Sequence, residues 1–205
     1  MPGFADASRF LAAQDPDWAR HIEVVGPCRH QPHPQREPYE ALIRAVAYQQ
    51  LHARAGDAIL ARLMALYPGG RFPTPAELLI TEPERLRGCG FSARKLQTLF
   101  GIAQATLDGQ VPGREVAMAL NDDALMARLI PLRGVGRWTV EMFLIYSLER
   151  RDILPGDDFG VREGYRRLKG LEETPSAALM RQFGQAWSPW RTVAAWYLWR
   201  MPPSP

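Results

Sequence analysis

Apolar residues along the chain recur mostly at intervals of three and four and do not alternate with polar ones. This is the spacing of amphipathic helices, so the pattern predicts an all-α protein. Clusters of glycine and proline at 68–70, 88–90 and 109–113 predict turns between the periodic segments. The predicted helices span residues 5–13, 15–23, 37–51, 53–67, 75–80, 82–87, 92–108, 113–118, 121–130, 137–149, 158–168, 175–186 and 189–201.

A proline-rich, polar segment at 25–38 interrupts the helical pattern. We interpret it as a connector between two helical lobes. A chain of 205 residues is long enough for one core or for two small lobes that share a cleft.

Composition adds limits on the class of protein. Hydrophobic residues make up 46% of the chain and charged residues 23%, as in soluble globular proteins. The net charge is +3, and arginine greatly outnumbers lysine, which permits a basic face toward phosphates; an arginine-rich proteome explains the same bias equally well. No apolar run approaches the length of a membrane span, and the N-terminus lacks a basic segment leading into an apolar one. We therefore expect a cytoplasmic protein with no membrane partner.

The two cysteines, Cys28 and Cys89, match no metal-ligand or redox spacing, so free thiols are expected. An iron–sulfur cluster would need four cysteines and is not expected. His30 and His33 lie close to Cys28, but they occupy a stiff proline-rich loop without an evident fourth ligand, which argues against a metal there.

The central motif is a predicted turn between two helices. Asn121 is a suitable N-cap for the first helix, and Pro131 ends that helix. Gly134 and Gly136 flank one apolar residue and allow a sharp reversal before the second helix opens at Arg137. The exposed amides of such a turn suit a phosphate oxygen, and this contact would hold DNA without reading its sequence.

An acidic pair follows, and its second member lies 20 positions after Trp138. Asp157 and Asp158 come after the break at Pro155 and before a helix predicted to begin near Phe159. One of the two is expected to cap this helix and the other to carry chemistry. The residues alone do not assign these roles, and both acids could simply start the helix.

Together these residues resemble the helix-hairpin-helix DNA glycosylase superfamily, although Arg133 stands where that family usually has proline. The resemblance implies that Asp158 is catalytic and that Asp157 is the helix cap. In members that also cut the strand, a lysine occupies the position of Trp138 and forms a Schiff base. The tryptophan implies a monofunctional enzyme, most similar to the DNA-3-methyladenine glycosylase II (alkyladenine) type.

The C-terminal run from Trp187 to Arg191 resembles the start of the family's last helix. The resemblance implies that Trp199 lines the base pocket and faces Trp138, with Met142 one turn beyond. Electron-rich rings would favour a cationic alkylated base through cation–π contacts. The helical spacing of these residues is equally typical of core packing.

Two further segments are similar to the family. One is the Gln49–Gln50 pair, which is followed by His52. The resemblance implies that His52 contacts the minor groove or a phosphate, although simple surface exposure explains this histidine equally well. The other, at 90–95, corresponds to a loop whose wedge residue fills the gap left by a flipped nucleotide. Ala93 is small for a wedge, so Phe91 is a substitute, and Arg94 or Lys95 could hold a phosphate instead.

The resemblance implies the remaining assignments. Contacts with the DNA backbone are expected from Gly134, Gly136, Arg137 and Thr139. The carbonyl oxygens of Ile130, Leu132 and Val135 are expected to bind a monovalent cation, Na⁺ or K⁺. No other cofactor is expected.

The expected architecture has a middle lobe at 37–146, which includes the helix-hairpin-helix at about 121–146, and a second lobe formed by 1–36 and 147–205. The flipped base would lie in the cleft between the lobes, with Asp158 at its floor.

The resulting hypothesis is a monomeric glycosylase that excises 3-methyladenine- or 7-methylguanine-type purines from double-stranded DNA in base excision repair, without cutting the strand. One alternative is a non-catalytic helix-hairpin-helix DNA-binding module. The other is a glycosylase for a neutral mispaired base, which would need a general acid that the Gln49–Gln50 helix does not supply.

Overall fold

A computed structural model of the chain describes residues 3–202. This range is all-helical, with thirteen α-helices, two short 3₁₀ turns and no β-strand among its residues, so the predicted fold class is confirmed. The helices are α1 (Phe4–Ala12), α2 (Pro16–Val25), α3 (Pro38–Tyr48), α4 (Ala53–Ala65), α5 (Pro75–Ile80), α6 (Pro83–Gly88), α7 (Ala93–Leu107), α8 (Arg114–Ala119), α9 (Asp122–Leu129), α10 (Arg137–Tyr146), α11 (Phe159–Lys169), α12 (Ala177–Phe183) and α13 (Arg191–Leu198).

The helices form two compact units. Unit 1 contains the described residues up to Pro32 and from Glu149 onward, and unit 2 spans His33–Leu148. The sequence interpretation set the corresponding limits at residues 37 and 146. None of the helices in residues 3–202 is long and apolar enough to cross a membrane.

Side-chain caps explain why several helices begin where they do. Asp15 accepts from two amides at the start of α2, and Thr74, Ser92 and Ser176 each accept from the amide three residues ahead. Helices α2, α3, α5 and α6 have proline in the first turn. Proline suits this position because its ring fixes φ near the helical value and the N–H that it lacks would have no partner in the helix. Local sequence therefore sets most of these N-termini.

Unit 2 is built around α3, which packs against α4, α7 and α10. Its core is mainly aliphatic, with a few aromatic rings such as that of Phe143 on α10, and includes Leu42, Ile43, Val46, Leu99 and Ile102.

Helix α3 ends three residues earlier than its apolar pattern predicts, because the backbone leaves helical geometry at Gln49 and reaches a positive φ of 57° at Gln50. Lys95 Nζ donates to the carbonyl oxygens of Ala47 and Gln49, at 3.0 and 2.9 Å. The Lys95 amine thus provides hydrogen-bond donors at the end of α3, where a further helical turn would otherwise provide them.

Unit 1 has an aromatic core around α13, in which every residue from Thr192 to Leu198 is buried. Trp18 of α2 meets Trp187 edge-to-face, with ring centroids 5.3 Å apart. His21 Nε2 lies 2.9 Å from the carbonyl oxygen of Tyr197, which ties α2 to α13. Burial lowers the pKa of His21. Helix α11 packs against both α13 and α2, and the acidic pair lies directly before its first residue.

Candidate functional site

The predicted hairpin is formed by α9, the turn at 130–136 and α10. Asn121 Oδ1 caps α9 by accepting from the Ala124 amide at 2.8 Å, as predicted. Within the turn, the Val135 amide donates to the Leu132 carbonyl at 3.0 Å, and Gly134 has a φ of +80°. Gly136 is the N-cap of α10, so the next amides face the mouth of the hairpin.

Side chains from α3 and α7 hold this turn in place. A Cβ atom on Gly134 would lie 1.9 Å from Thr98 Oγ1, so the turn rests directly on α7. Gln49 Nε2 donates to the Gly134 carbonyl at 3.0 Å and to Thr139 Oγ1 at 2.9 Å. Since Lys95 also binds the Gln49 carbonyl, these contacts join the end of α3 to the hairpin. Burial lowers the pKa of Lys95.

The predicted contact of Thr139 with the DNA backbone is wrong for this geometry. Thr139 is only 1% exposed, its hydroxyl accepts from Gln49, and its amide donates to the Gly136 carbonyl at 3.0 Å. The amide is thus engaged inside unit 2, and the hydroxyl is buried there. By contrast Gly134, Gly136 and Arg137 are exposed, and the Arg137 guanidinium lies 3.7 Å from Glu141.

Within the acidic pair, the prediction that Asp157 caps the helix is wrong. Asp158, not Asp157, is the N-cap of α11, and its Oδ1 accepts from the Val161 amide at 2.8 Å. The reason is positional: the first helical residue is Phe159, and the N-cap is the residue immediately before it. Asp157 is exposed and forms an ion pair with Arg181 at 3.3 Å.

Two predicted site residues meet in unit 1. Trp199, the C-cap of α13, donates from its indole Nε1 to Asp158 Oδ1 at 2.9 Å, and both side chains are half-buried. Two N–H donors thus converge on one carboxylate oxygen, which holds the carboxylate in one orientation. An acid held at a helix N-terminus beside an electron-rich ring can stabilise a nearby positive charge.

A model of a protein family matches residues 43–189 and is described as the HhH-GPD superfamily base excision DNA repair protein. The match contains the hairpin, the acidic pair, most of unit 2 and the part of unit 1 at 149–189. The chain belongs to the HhH-GPD superfamily of base excision DNA repair proteins.

Individual relatives resemble this HhH-GPD chain over nearly its whole length. DNA-3-methyladenine glycosylase 1 of Schizosaccharomyces pombe is 45% identical over 191 residues, which cover 93% of the chain and 84% of the relative. A solved structure of the S. pombe 3-methyladenine DNA glycosylase in complex with abasic DNA matches with a TM-score of 0.90 and 44% identity, over 95% of each chain. A DNA-3-methyladenine glycosidase structure from Bacillus halodurans has a TM-score of 0.76 and 30% identity, over 95% of this chain and 88% of that one.

The wedge prediction for this HhH-GPD protein is wrong at one residue. Phe91 is 3% exposed and belongs to the core of unit 2, so it presents no ring to a DNA duplex. Ala93 and Arg94 begin α7 and are exposed, and the exposed His52 is the N-cap of α4 without a side-chain cap bond. Trp138 and Met142 are half-buried on α10, and their assignment to a base pocket stays a prediction.

Two exposed apolar residues next to predicted site residues escaped the sequence analysis. Phe159, directly after Asp158, is 68% exposed, and Leu51, directly before His52, is 42% exposed. Each has an apolar side chain that is exposed to solvent near the N-terminus of a helix. Their signal in the sequence was weak, because an apolar residue beside a helix start is usually interpreted as packing.

Proposed function

We propose that this protein is a DNA glycosylase that excises alkylated purines of the 3-methyladenine and 7-methylguanine type from double-stranded DNA by base flipping, as the first step of base excision repair. The observation that carries the proposal is the Asp158 carboxylate, capped on α11 and bonded by Trp199. Membership of the HhH-GPD superfamily and the 45% identity to a 3-methyladenine glycosylase support it.

The chemistry suits one carboxylate and few helpers. An N-alkylated purine already carries positive charge and leaves readily, so the main barrier is the cationic sugar formed as the glycosidic bond breaks. A carboxylate about 4 Å from that cation, at an effective dielectric of about 20, contributes about 4 kcal/mol, or about a thousandfold in rate. Asp158 also orients or deprotonates the water that attacks the sugar.

Aromatic side chains supply selectivity for the charged base. A ring face on a cationic purine contributes about 0.5 to 2 kcal/mol that neutral adenine or guanine does not gain. We assign this role to Trp199 and, on the family resemblance, to Trp138. Met142 lines the pocket beside them without a ring of its own. Phe159 is added because its ring is exposed directly beside the acid.

The hairpin holds the DNA backbone through the amides of Gly134 and Gly136 and the side chain of Arg137. A monovalent cation fits here, because the turn offers neutral carbonyl oxygens and the Leu132 carbonyl keeps a lone pair beyond the one that accepts from Val135. The carbonyls of Ile130, Leu132 and Val135 would hold it, and the ion would supply positive charge between turn and phosphate.

We further propose that strand cleavage is not part of the activity. The lyase reaction needs an amine that attacks the sugar, and the residue at the position of the attacking lysine is Trp138. Water then completes the reaction and leaves an uncut abasic site.

Replacement of the acid tests the proposal. Asp158→Asn keeps an oxygen that can cap α11 but removes the negative charge, so the single-turnover release of 3-methyladenine and 7-methylguanine should fall at least about a hundredfold. Asp157→Asn is the matched control, because Asp157 is exposed and pairs only weakly with Arg181 at 3.3 Å; it should keep the wild-type rate.

Activity of Asp158→Asn within about tenfold of wild type would contradict the assignment of the acid. Tight binding of the wild-type protein to duplexes without release of any alkylated base would instead support a non-catalytic DNA-binding module. Release restricted to a neutral mispaired base would support the other alternative.

A further inference from the structure

Helices α11 and α13 approach each other at two glycines that lie four residues apart on α11. A Cβ atom on Gly164 would lie 2.2 Å from the carbonyl oxygen of Leu198, and one on Gly160 would lie 3.0 Å from Trp199 Cδ1. Residues four apart share one face of a helix, so both glycines face the C-terminal end of α13. The absence of two side chains permits this close contact.

The same contact determines where the indole of Trp199 lies. A Cβ atom on Gly160 would also be 3.1 Å from Asp158 Oδ1 and 3.5 Å from Trp199 Nε1, the two atoms that share the 2.9 Å hydrogen bond. The missing side chain of Gly160 is therefore directly beside this bond. Any larger residue would have to displace the indole or the carboxylate by a few tenths of an ångström.

The backbone conformation at position 160 does not require a glycine. It is the second residue of α11 and has no positive φ, so an alanine would suit the backbone and normally favour a helix. Helix propensity thus favours alanine at position 160, whereas the Asp158–Trp199 hydrogen bond favours glycine.

We propose that Gly160 is a positioning residue that acts through Trp199 on the Asp158 carboxylate. By leaving space for the indole, it permits the N–H donation that orients the acid toward the reacting sugar. Gly164 supports this arrangement by setting the distance between the two helices. The inference rests on the proposed glycosylase function for its effect on rate, but its geometric part is independent of that function.

The first experiment follows the hydrogen bond itself by ¹H–¹⁵N NMR of the full chain. Among the six tryptophans, the indole resonance of Trp199 is identified by its loss in Trp199→Phe. We expect Gly160→Ala to move this resonance upfield, Gly160→Val to move it further, and Asp158→Asn to move it as well. The matched control is Gly101→Ala in α7, where a Cβ atom meets nothing within 4 Å and no shift is expected.

The second experiment measures single-turnover base release beside the affinity for DNA and the melting temperature. If Gly160→Ala breaks the hydrogen bond from Trp199 to the charged Asp158 carboxylate, the rate of base release should fall about tenfold. The affinity and the melting temperature should stay at or near their wild-type values. A role in stability alone would lower the melting temperature and the rate together.

A double mutant tests the route of the effect. If Gly160 acts through the indole N–H, then Gly160→Ala should cost little further rate in a Trp199→Phe background, because the bond is already lost. Rate losses that multiply in the double mutant, or an unchanged indole resonance in both Gly160 variants, would overturn the inference. A wild-type protein that releases no alkylated base would contradict the proposed function, while the NMR result would still decide the geometric part.

Discussion

At the scale of single residues, the two hairpin glycines serve different purposes. Gly134 has a left-handed φ of +80° and no space for a Cβ atom beside Thr98. Gly136 has a φ of −94° and nothing within 4 Å of its Cβ position. The first glycine is therefore required by the fold of the turn, whereas the second is required only where a ligand approaches the backbone.

Gly134→Ala should destabilise the protein by about 1 to 3 kcal/mol, because it adds backbone strain and a clash with Thr98. Gly136→Ser should change stability by less than about 0.5 kcal/mol, since serine is a favourable N-cap in this extended conformation. Chemical denaturation of both variants beside the wild type measures the difference. Equal stability of the two variants would show that the turn does not depend on the conformation at residue 134.

At the scale of one element, α11 carries the acid and is stabilised by a cluster around Glu163. This carboxylate accepts from Arg166, Arg167 and Thr174 at distances between 2.8 and 3.0 Å. The hydrogen bonds from Arg166, supported by Thr174 and Arg167, lower the pKa of Glu163 to about 2 from an ordinary value of 4.5. The cluster links the middle of α11 to the loop before α12.

The stabilising effect of Glu163 should depend on pH in a defined range. Its pKa is lower in the folded state, so the contribution is complete above about pH 4.5 and is lost as the pH falls from 4.5 toward 2. At pH 7, Glu163→Gln should lower the melting temperature by about 2 to 4 °C, a modest value because the cluster is partly solvated. The variant should also lose part of the wild-type decline between pH 4.5 and pH 2.

Glu172→Gln is the matched control for this measurement, because it removes the same charge from an exposed site nearby. Melting curves that are equally pH-dependent in Glu163→Gln and in wild type would contradict the role of the cluster.

At the scale of the whole molecule, the chain has only two lysines, and both are engaged. Lys95 Nζ donates to two backbone carbonyls in unit 2. Lys169 Nζ lies 2.7 Å from Asp15 and 3.0 Å from Asp17 in unit 1. Burial opposes ionisation of Lys169, but these two carboxylates outweigh it and raise its pKa. Both amines contact oxygen atoms of the protein, which supports the proposal that neither attacks the sugar.

Borohydride reduction in the presence of an alkylated or abasic duplex should therefore trap no covalent protein–DNA complex, and the strand should stay intact until alkali is added. A bifunctional glycosylase serves as the positive control. Trapping at a comparable level would contradict the monofunctional assignment, and Lys95→Gln and Lys169→Gln would then identify the amine.

The sequence by itself determined the helical class, the hairpin and the residues of the acidic pair. These features follow from local rules: apolar spacing of three and four, N-cap side chains such as Asn121, and glycine where the chain reverses. The prediction that Asp157 caps α11 was wrong by one residue, because the helix starts at Phe159 and its N-cap is Asp158.

Only the tertiary structure decided what the side chains contact. Gln49 reaches Gly134 across 85 positions, and Trp199 reaches Asp158 across 41. Burial of Thr139 and Phe91 likewise depends on neighbouring helices. Local spacing predicts which face of a helix is apolar, whereas the distances between atoms far apart in the chain are set by how helices pack.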